Sequence, residues 1–251
     1  MPATIDVQRT GLGPPLVLVH GGVGRAHTWT RQAPLAQSHT LLLPARRGYP
    51  PNEPVERQDF ELDATDLEAI LDAEGGAHLA GFSYGGLGAA LLAARRPDLV
   101  HSLTLIEVPL YSAAPDDPEV AELARLGETF AGDPGAMGDA DLDRFRKLAG
   151  IEPMRAGDRL PALQGELALA RNHRSPREAD PDYAAIRGAG IPALVCSGVH
   201  ENALERLADA QAELLGGERA LLPGAGHAVP RAAGFNQRLA EFLAGAAAGR
   251  A

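Results

Sequence analysis

One serine of this chain stands in a setting that could make it reactive. Gly81-Phe82-Ser83-Tyr84-Gly85-Gly86 lies between a short apolar run and an Ala- and Leu-rich stretch, so it reads as strand, tight turn, helix, with the serine in the turn. Alone, a G-x-S-x-G match is weak, because Gly and Ser fill ordinary loops. Flanked by strand and helix, it describes an exposed nucleophile beside the free N–H groups and positive dipole end of a helix. Such a hydroxyl needs a base within hydrogen-bond reach. Of the eight histidines, His227 in Gly224-Ala225-Gly226-His227 is the one that follows the last predicted strand. His78 and His101 fall in or beside strands, and His173 falls in a polar stretch. His20 opens the loop Gly21-Gly22-Val23-Gly24, which it is expected to shape rather than react in. Charge developing on a substrate oxygen calls for two backbone donors. The Tyr84 N–H is one candidate and the Gly22 N–H the other. A phosphate-binding reading of that loop fails at its third glycine position, which is His27.

These groups meet only if the elements around them form one scaffold. The continuous apolar run Leu16-Val17-Leu18-Val19-His20 reads as a strand buried on both faces. Further strands are expected at 39–43, 77–81, 100–106, 193–196 and 219–222. Helices are expected at 28–37, 59–74, 84–96, 203–215 and 232–243, and a frayed tail at 245–251. This alternation predicts an α/β fold with a mostly parallel sheet covered by helices. The rhythm breaks between Pro109 and Gly190, where only helical periods occur, at 119–130, 139–148 and 160–172. The expected division is therefore a core of residues 1–108 and 191–251 with a helical insertion over 109–190.

Composition narrows the chemistry. In 251 residues there is one cysteine, Cys196, and the formal net charge is −10. A single cysteine excludes an internal disulfide framework and multi-cysteine metal sites. Lys147 is the only lysine among 23 basic residues, so a Schiff base has one candidate and a Walker-type Gly-Lys pair is absent. No His-x-x-x-His spacing points to a metal, and neither metal nor cofactor is expected. Scattered arginines on an acidic chain argue against nucleic acid. The apolar runs are strand-length, and the N-terminus lacks a signal-peptide pattern, so no membrane partner and a cytoplasmic location are expected. Trp29 is read as a packing anchor, Arg46-Arg47 as a solvated loop, and Arg144, Arg146 and Lys147 as an exposed helical face.

Taken together, the elbow at Ser83, the glycine loop after the first buried strand and the late His227 resemble the α/β-hydrolase superfamily, of the type with a helical lid inserted after strand six. The resemblance implies a Ser–His–acid triad, with Ser83 as nucleophile and His227 as general base and then acid. It makes 100–106 strand six. Relatives commonly place an aspartate after strand seven in a Gly-x-x-Asp segment. Here Ser197-Gly198-Val199-His200-Glu201-Asn202 puts Glu201 there. The competing carboxylate is Glu107, at the end of Leu103-Thr104-Leu105-Ile106; fungal-toxin lactonases resemble this arrangement. A carboxylate ending a continuous buried strand needs a partner, whereas Glu201 reads equally well as a helix start. Glu107 is favoured, with Glu201 as the alternate. The implied activity is cofactor-independent hydrolysis of a small, hydrophobic ester, lactone or thioester. A carbon–carbon bond hydrolase, an acyltransferase or a non-catalytic metabolite-binding protein on the same fold are the rivals.

Overall fold

Leu16, Val17, Leu18 and Val19 have no exposed surface, which requires a sheet covered on both faces. In the computed structural model, which describes residues 5–132, 137–149, 169, 171–199, 203–224 and 226–249, they lie in β2 (Pro15–Val19). The other strands are β1 (Val7–Thr10), β3 (Thr40–Pro44), β4 (Ala77–Phe82), β5 (Val100–Ile106), β6 (Ala193–Ser197) and β7 (Glu218–Leu221). They form one seven-stranded sheet in the order β1-β3-β2-β4-β5-β6-β7. Only β1 runs antiparallel to its neighbour; the other pairs are parallel. The expected buried strands are all present. β1 was not expected from the sequence, because Val7-Gln8-Arg9-Thr10 is a mostly exposed edge strand without an apolar run.

The helices are α1 (Arg25–Thr28), α2 (Phe60–Glu74), α3 (Gly85–Arg95), α4 (Pro118–Gly132), α5 (Asp139–Ala149), α6 (Tyr183–Gly188), α7 (Ala203–Leu215) and α8 (Phe235–Ala248). One core layer packs Val17, Leu79 and Leu103 against α2, α3 and α7. On the opposite face Leu18, Ala80 and Ile106 pack with Trp29 and α8, so the packing reading of Trp29 holds. The helix expected at 28–37 is not formed as such: α1 ends at Thr28, and only a 3-10 turn at Ala33–Gln37 follows, in which Pro34 has no N–H to give an α-helical bond. The tail expected to fray continues α8 to Ala248, where alanines are good helix formers. Between β5 and β6 the described residues hold helices and no strand: α4, α5 and the start of α7 share a third cluster around Leu123, Leu126, Leu148 and Leu204. The strand before these helices, numbered six by the family resemblance, is the fifth in chain order here. The expected helix at 160–172 lies largely outside the described residues. No helix among the described residues is long and apolar enough to cross a membrane.

Two loops at the sheet's carboxyl edge are locked together. His20 Nε2 accepts from the Arg46 N–H at 3.0 Å, and His20 Nδ1 lies 3.1 Å from the Gly21 carbonyl. Both contacts are satisfied by a neutral ring carrying its proton on Nδ1. Burial, reinforced by the Arg46 guanidinium, lowers the His20 pKa to about 3. The Arg46 side chain is itself buried, which corrects the solvated-loop reading. Its Nε donates to Asp63 at 2.8 Å, Nη1 to the Gly21 carbonyl at 3.0 Å and Nη2 to Gln58 Oε1 at 3.1 Å. Arg47 makes two 2.7 Å bonds to Asp66, the next helical turn along α2.

The turn after β4 is packed more tightly still. A Cβ on Gly85 would lie 2.1 Å from the His20 carbonyl oxygen, and one on Gly81 would lie 2.5 Å from Gly86 Cα. Gly85→Ala should therefore destabilise the fold by about 1–3 kcal/mol through overpacking. Gly245→Ala, where a Cβ on the exposed face of α8 meets nothing within 4 Å, should stabilise it by about 0.5–1 kcal/mol. Urea midpoints of the two variants would show the opposite signs. His20 adds a pH dependence: the unfolded chain protonates this histidine near pH 6.5, while the fold holds it neutral down to about 3. The unfolded state binds the extra proton in that window, so stability falls as pH drops through it and is level above it. Between pH 6.5 and pH 5 this amounts to about 2 kcal/mol. Urea melts of wild type and His20→Asn should show their stability gap narrowing over that interval.

Candidate active site

Each chemistry-bearing residue occurs shortly after the carboxyl end of a strand. Ser83 follows β4, Glu107 follows β5, and His227 follows β7. His227 Nε2 lies 3.1 Å from Ser83 Oγ, and its Nδ1 lies 3.3 Å from Glu107 Oε2. A ring protonated on Nδ1 donates to the carboxylate and accepts from the serine hydroxyl, so a single tautomer serves both contacts. The Glu107 side chain is fully buried, and its other oxygen accepts from the Gly198 N–H at 2.7 Å. The loop after β6 thus contributes a backbone donor to the carboxylate. Glu201, the alternate acid, lies outside the described residues.

Backbone strain marks the same place. Among the described residues, the non-glycine positions with positive φ are Ser83 at 50°, Glu107 at 51° and Val199 at 64°. Two are members of the hydrogen-bonded row, and the third adjoins the N–H that holds Glu107. Left-handed backbone is unfavourable for side chains with a Cβ, and most so for a branched one such as valine. Its concentration at one site indicates that surrounding contacts impose these turns.

Gly22 and Tyr84 both line the cavity in front of Ser83. The Gly21 carbonyl is held by Arg46 and His20, and the Gly22 carbonyl accepts from Tyr49 Oη at 3.0 Å. The Tyr84 side chain is buried and leads away from the serine. Its hydroxyl donates to the Arg174 carbonyl at 3.0 Å, and its ring lies 4.7 Å from the Arg46 guanidinium carbon. Burial pushes its phenol pKa well up, despite Arg46.

The cavity measures about 190 Å³. The apolar part of the lining comes largely from α4 and α5, with Pro109, Leu123, Phe130, Phe145 and, at the start of α7, Leu204. The polar part of the lining comes from Arg46, Tyr49, Gln58 and His173, with Glu128 of α4. Gln58 and His173 are the site residues that sequence reasoning missed. They are joined by an isolated parallel bridge, in which the Gln58 N–H donates to the Asn172 carbonyl and the Arg174 N–H to the Gln58 carbonyl, each at 2.8 Å. Nothing local in either segment signals this pairing. Among the described residues, no group of three or more His, Cys, Asp or Glu side chains could hold a metal ion.

Comparison with known proteins agrees with this architecture. Residues 14–150 match a family model described as alpha/beta hydrolase fold. Pimeloyl-acyl-carrier-protein methyl ester esterase of Aeromonas hydrophila subsp. hydrophila is 30% identical over 171 residues, covering 66% of this chain and 65% of that protein. The esterase of the same name from Aeromonas salmonicida is 29% identical over 195 residues, covering 75% of this chain and 71% of that protein. Among solved structures, MenH from S. aureus superposes with a TM-score of 0.71 at 16% identity, covering 97% of this chain and 98% of that one, a likeness of fold alone. With more than half of its residues matched by the family model and the seven-stranded sheet in place, the chain belongs to the alpha/beta hydrolase fold family.

Proposed function

We propose that the protein is a cofactor-independent serine hydrolase of small, hydrophobic esters, lactones or thioesters, working through Ser83, His227 and Glu107. The observation that carries this reading is the hydrogen-bonded row from Ser83 Oγ through the His227 ring to Glu107. Ser83 attacks the substrate carbonyl while His227 Nε2 takes the hydroxyl proton, and Glu107 orients the ring and stabilises the imidazolium. His227 then protonates the leaving alcohol or thiol. Water, deprotonated by the same ring, releases the acid and restores the serine.

The oxyanion is assigned to the Gly22 and Tyr84 N–H groups. In a planar trans peptide the N–H points opposite to the preceding carbonyl. With the Gly21 carbonyl held by Arg46 and His20, the Gly22 N–H is turned away from that buried cluster. Fixed donors of this kind need no reorganisation as charge develops. Helices α4 and α5 act as a lid, whose apolar side chains on the cavity wall exclude water and receive the hydrocarbon part of the substrate. The Aeromonas relatives, both named methyl ester esterases, support ester cleavage as the reaction class.

A fluorophosphonate probe and a panel of ester, lactone and thioester substrates test this reading. Ser83→Ala should abolish labelling and lower kcat by about five to six orders of magnitude. Glu107→Gln should cost about three to four orders, while Glu201→Gln should stay within about threefold. Near-normal turnover in Glu107→Gln, with collapse in Glu201→Gln, would assign the acid to Glu201 instead.

A further inference from the structure

The polar lining of the cavity contains a ring nitrogen whose hydrogen bonding is incomplete. Arg46 donates to Asp63, the Gly21 carbonyl and Gln58 Oε1. Gln58 accepts that bond and donates from its amide to the Arg47 carbonyl at 2.8 Å. Tyr49 and Tyr84 direct their hydroxyls to the Gly22 and Arg174 carbonyls. His173 also lines the cavity. Its Nδ1 lies 3.0 Å from the Arg174 carbonyl, so the ring carries its proton there and Nε2 is an acceptor. Among the described residues, Nε2 has no hydrogen-bond partner.

The ring is firmly held. Its own segment is bridged to Gln58 on both sides, and its face lies 5.0 Å from the ring of Tyr84, the residue after the nucleophile. Burial, with a smaller contribution from Arg46, lowers the ring's pKa, so at neutral pH the imidazole is uncharged and its Nε2 lone pair is available. An acceptor fixed in this way favours a ligand that donates to it. A ligand that covers it without donating leaves it unsatisfied, and that asymmetry is a strong source of discrimination.

Building on the proposed hydrolase reading, we propose that His173 is a specificity-determining residue whose Nε2 accepts a hydrogen bond from a hydroxyl or amide N–H carried by the substrate close to its scissile carbonyl. The preferred substrate is then two-faced, with hydrocarbon against Leu123, Phe130 and Phe145 and a hydrogen-bond donor against His173.

Matched substrate pairs test this. The p-nitrophenyl esters of 3-hydroxybutanoate and 3-methylbutanoate exchange a hydroxyl for a methyl, and those of N-acetylglycine and 4-oxopentanoate exchange an amide N–H for a methylene. The 2-hydroxyethyl and propyl esters of butanoate carry the comparison to the alcohol side. Each rate is normalised to hydroxide-catalysed hydrolysis. Wild type should favour the donor-bearing member of at least one pair about tenfold or more in kcat/KM. His173→Leu should reduce that preference to about threefold or less, and His173→Gln, which keeps an acceptor, should restore most of it. No preference in wild type overturns the proposal. So does a preference that survives in His173→Leu, including the case in which both members lose rate equally, as a purely structural role would give. Fluorophosphonate labelling of Ser83 in wild type is read separately. Its absence would remove the hydrolase reading and this inference with it, whereas labelling without donor preference removes only the inference.

Discussion

The buried guanidinium of Arg46 is the interaction on which the rest of the site depends. It joins the loop after β2 through the Gly21 carbonyl, helix α2 through Asp63, and the segment before α2 through Gln58. It also lies against the rings of Tyr49 and Tyr84. Burial opposes its charge, but Asp63 and the two tyrosines outweigh that effect and hold it above its ordinary pKa. A planar, permanently charged fork suits such a hub, since it can address several acceptors without changing shape. Removing one member of a buried ion pair costs about 3–5 kcal/mol, because the other charge is left without a partner. The glycine loop, which has few side chains of its own to fix it, takes its conformation from this charge and from His20.

A second constraint is local strain. Ser83 and Glu107 both adopt left-handed backbone immediately after buried parallel strands. The strands supply the restraint: the Ser83 N–H donates to the Ile106 carbonyl at 2.8 Å, and the Glu107 N–H to the Cys196 carbonyl at 3.1 Å. Each turn is therefore tied to the next strand in the sheet. The parallel register that aligns Phe82 with Ile106 and Ile106 with Cys196 brings Ser83, Glu107 and the Gly198 N–H to one edge.

What was legible in the sequence is what sits within a few residues along the chain. The buried strands announced themselves as continuous apolar runs, and the Ser83 elbow as a glycine pattern between two of the predicted elements. Glu107 stood out because an acid ending the run Leu103–Ile106 calls for a partner, and the His227 ring lies beside its buried carboxylate. Arg46 was misread as solvated because its partner, Asp63, lies on α2 and the intervening loop gives no periodic signal. β1 escaped because an edge strand paired on one side needs no apolar run. The pairing of Gln58 with His173 is a contact between two irregular segments far apart in sequence, and neither composition nor spacing encodes such a contact.

The two walls of the cavity have different origins, and this bears on how such a site changes. The polar wall is built from residues that also hold the glycine loop and Tyr84 in place, so a substitution there disturbs the hydrogen bonds of the scaffold. The apolar wall comes from α4, α5 and the start of α7, which share a separate small core around Leu123 and Leu148. Gly127 on α4 faces the cavity with Phe145 and Tyr111 3.7 Å from where a Cβ would lie, so added bulk there enters the cavity rather than the main core. Changes of volume on this wall reshape the cavity without touching Ser83, His227 or their supports. The geometry thus separates the part of the site that must stay fixed from the part that can be reshaped. His173 sits on the boundary, held by the scaffold through its backbone while its ring borders the cavity.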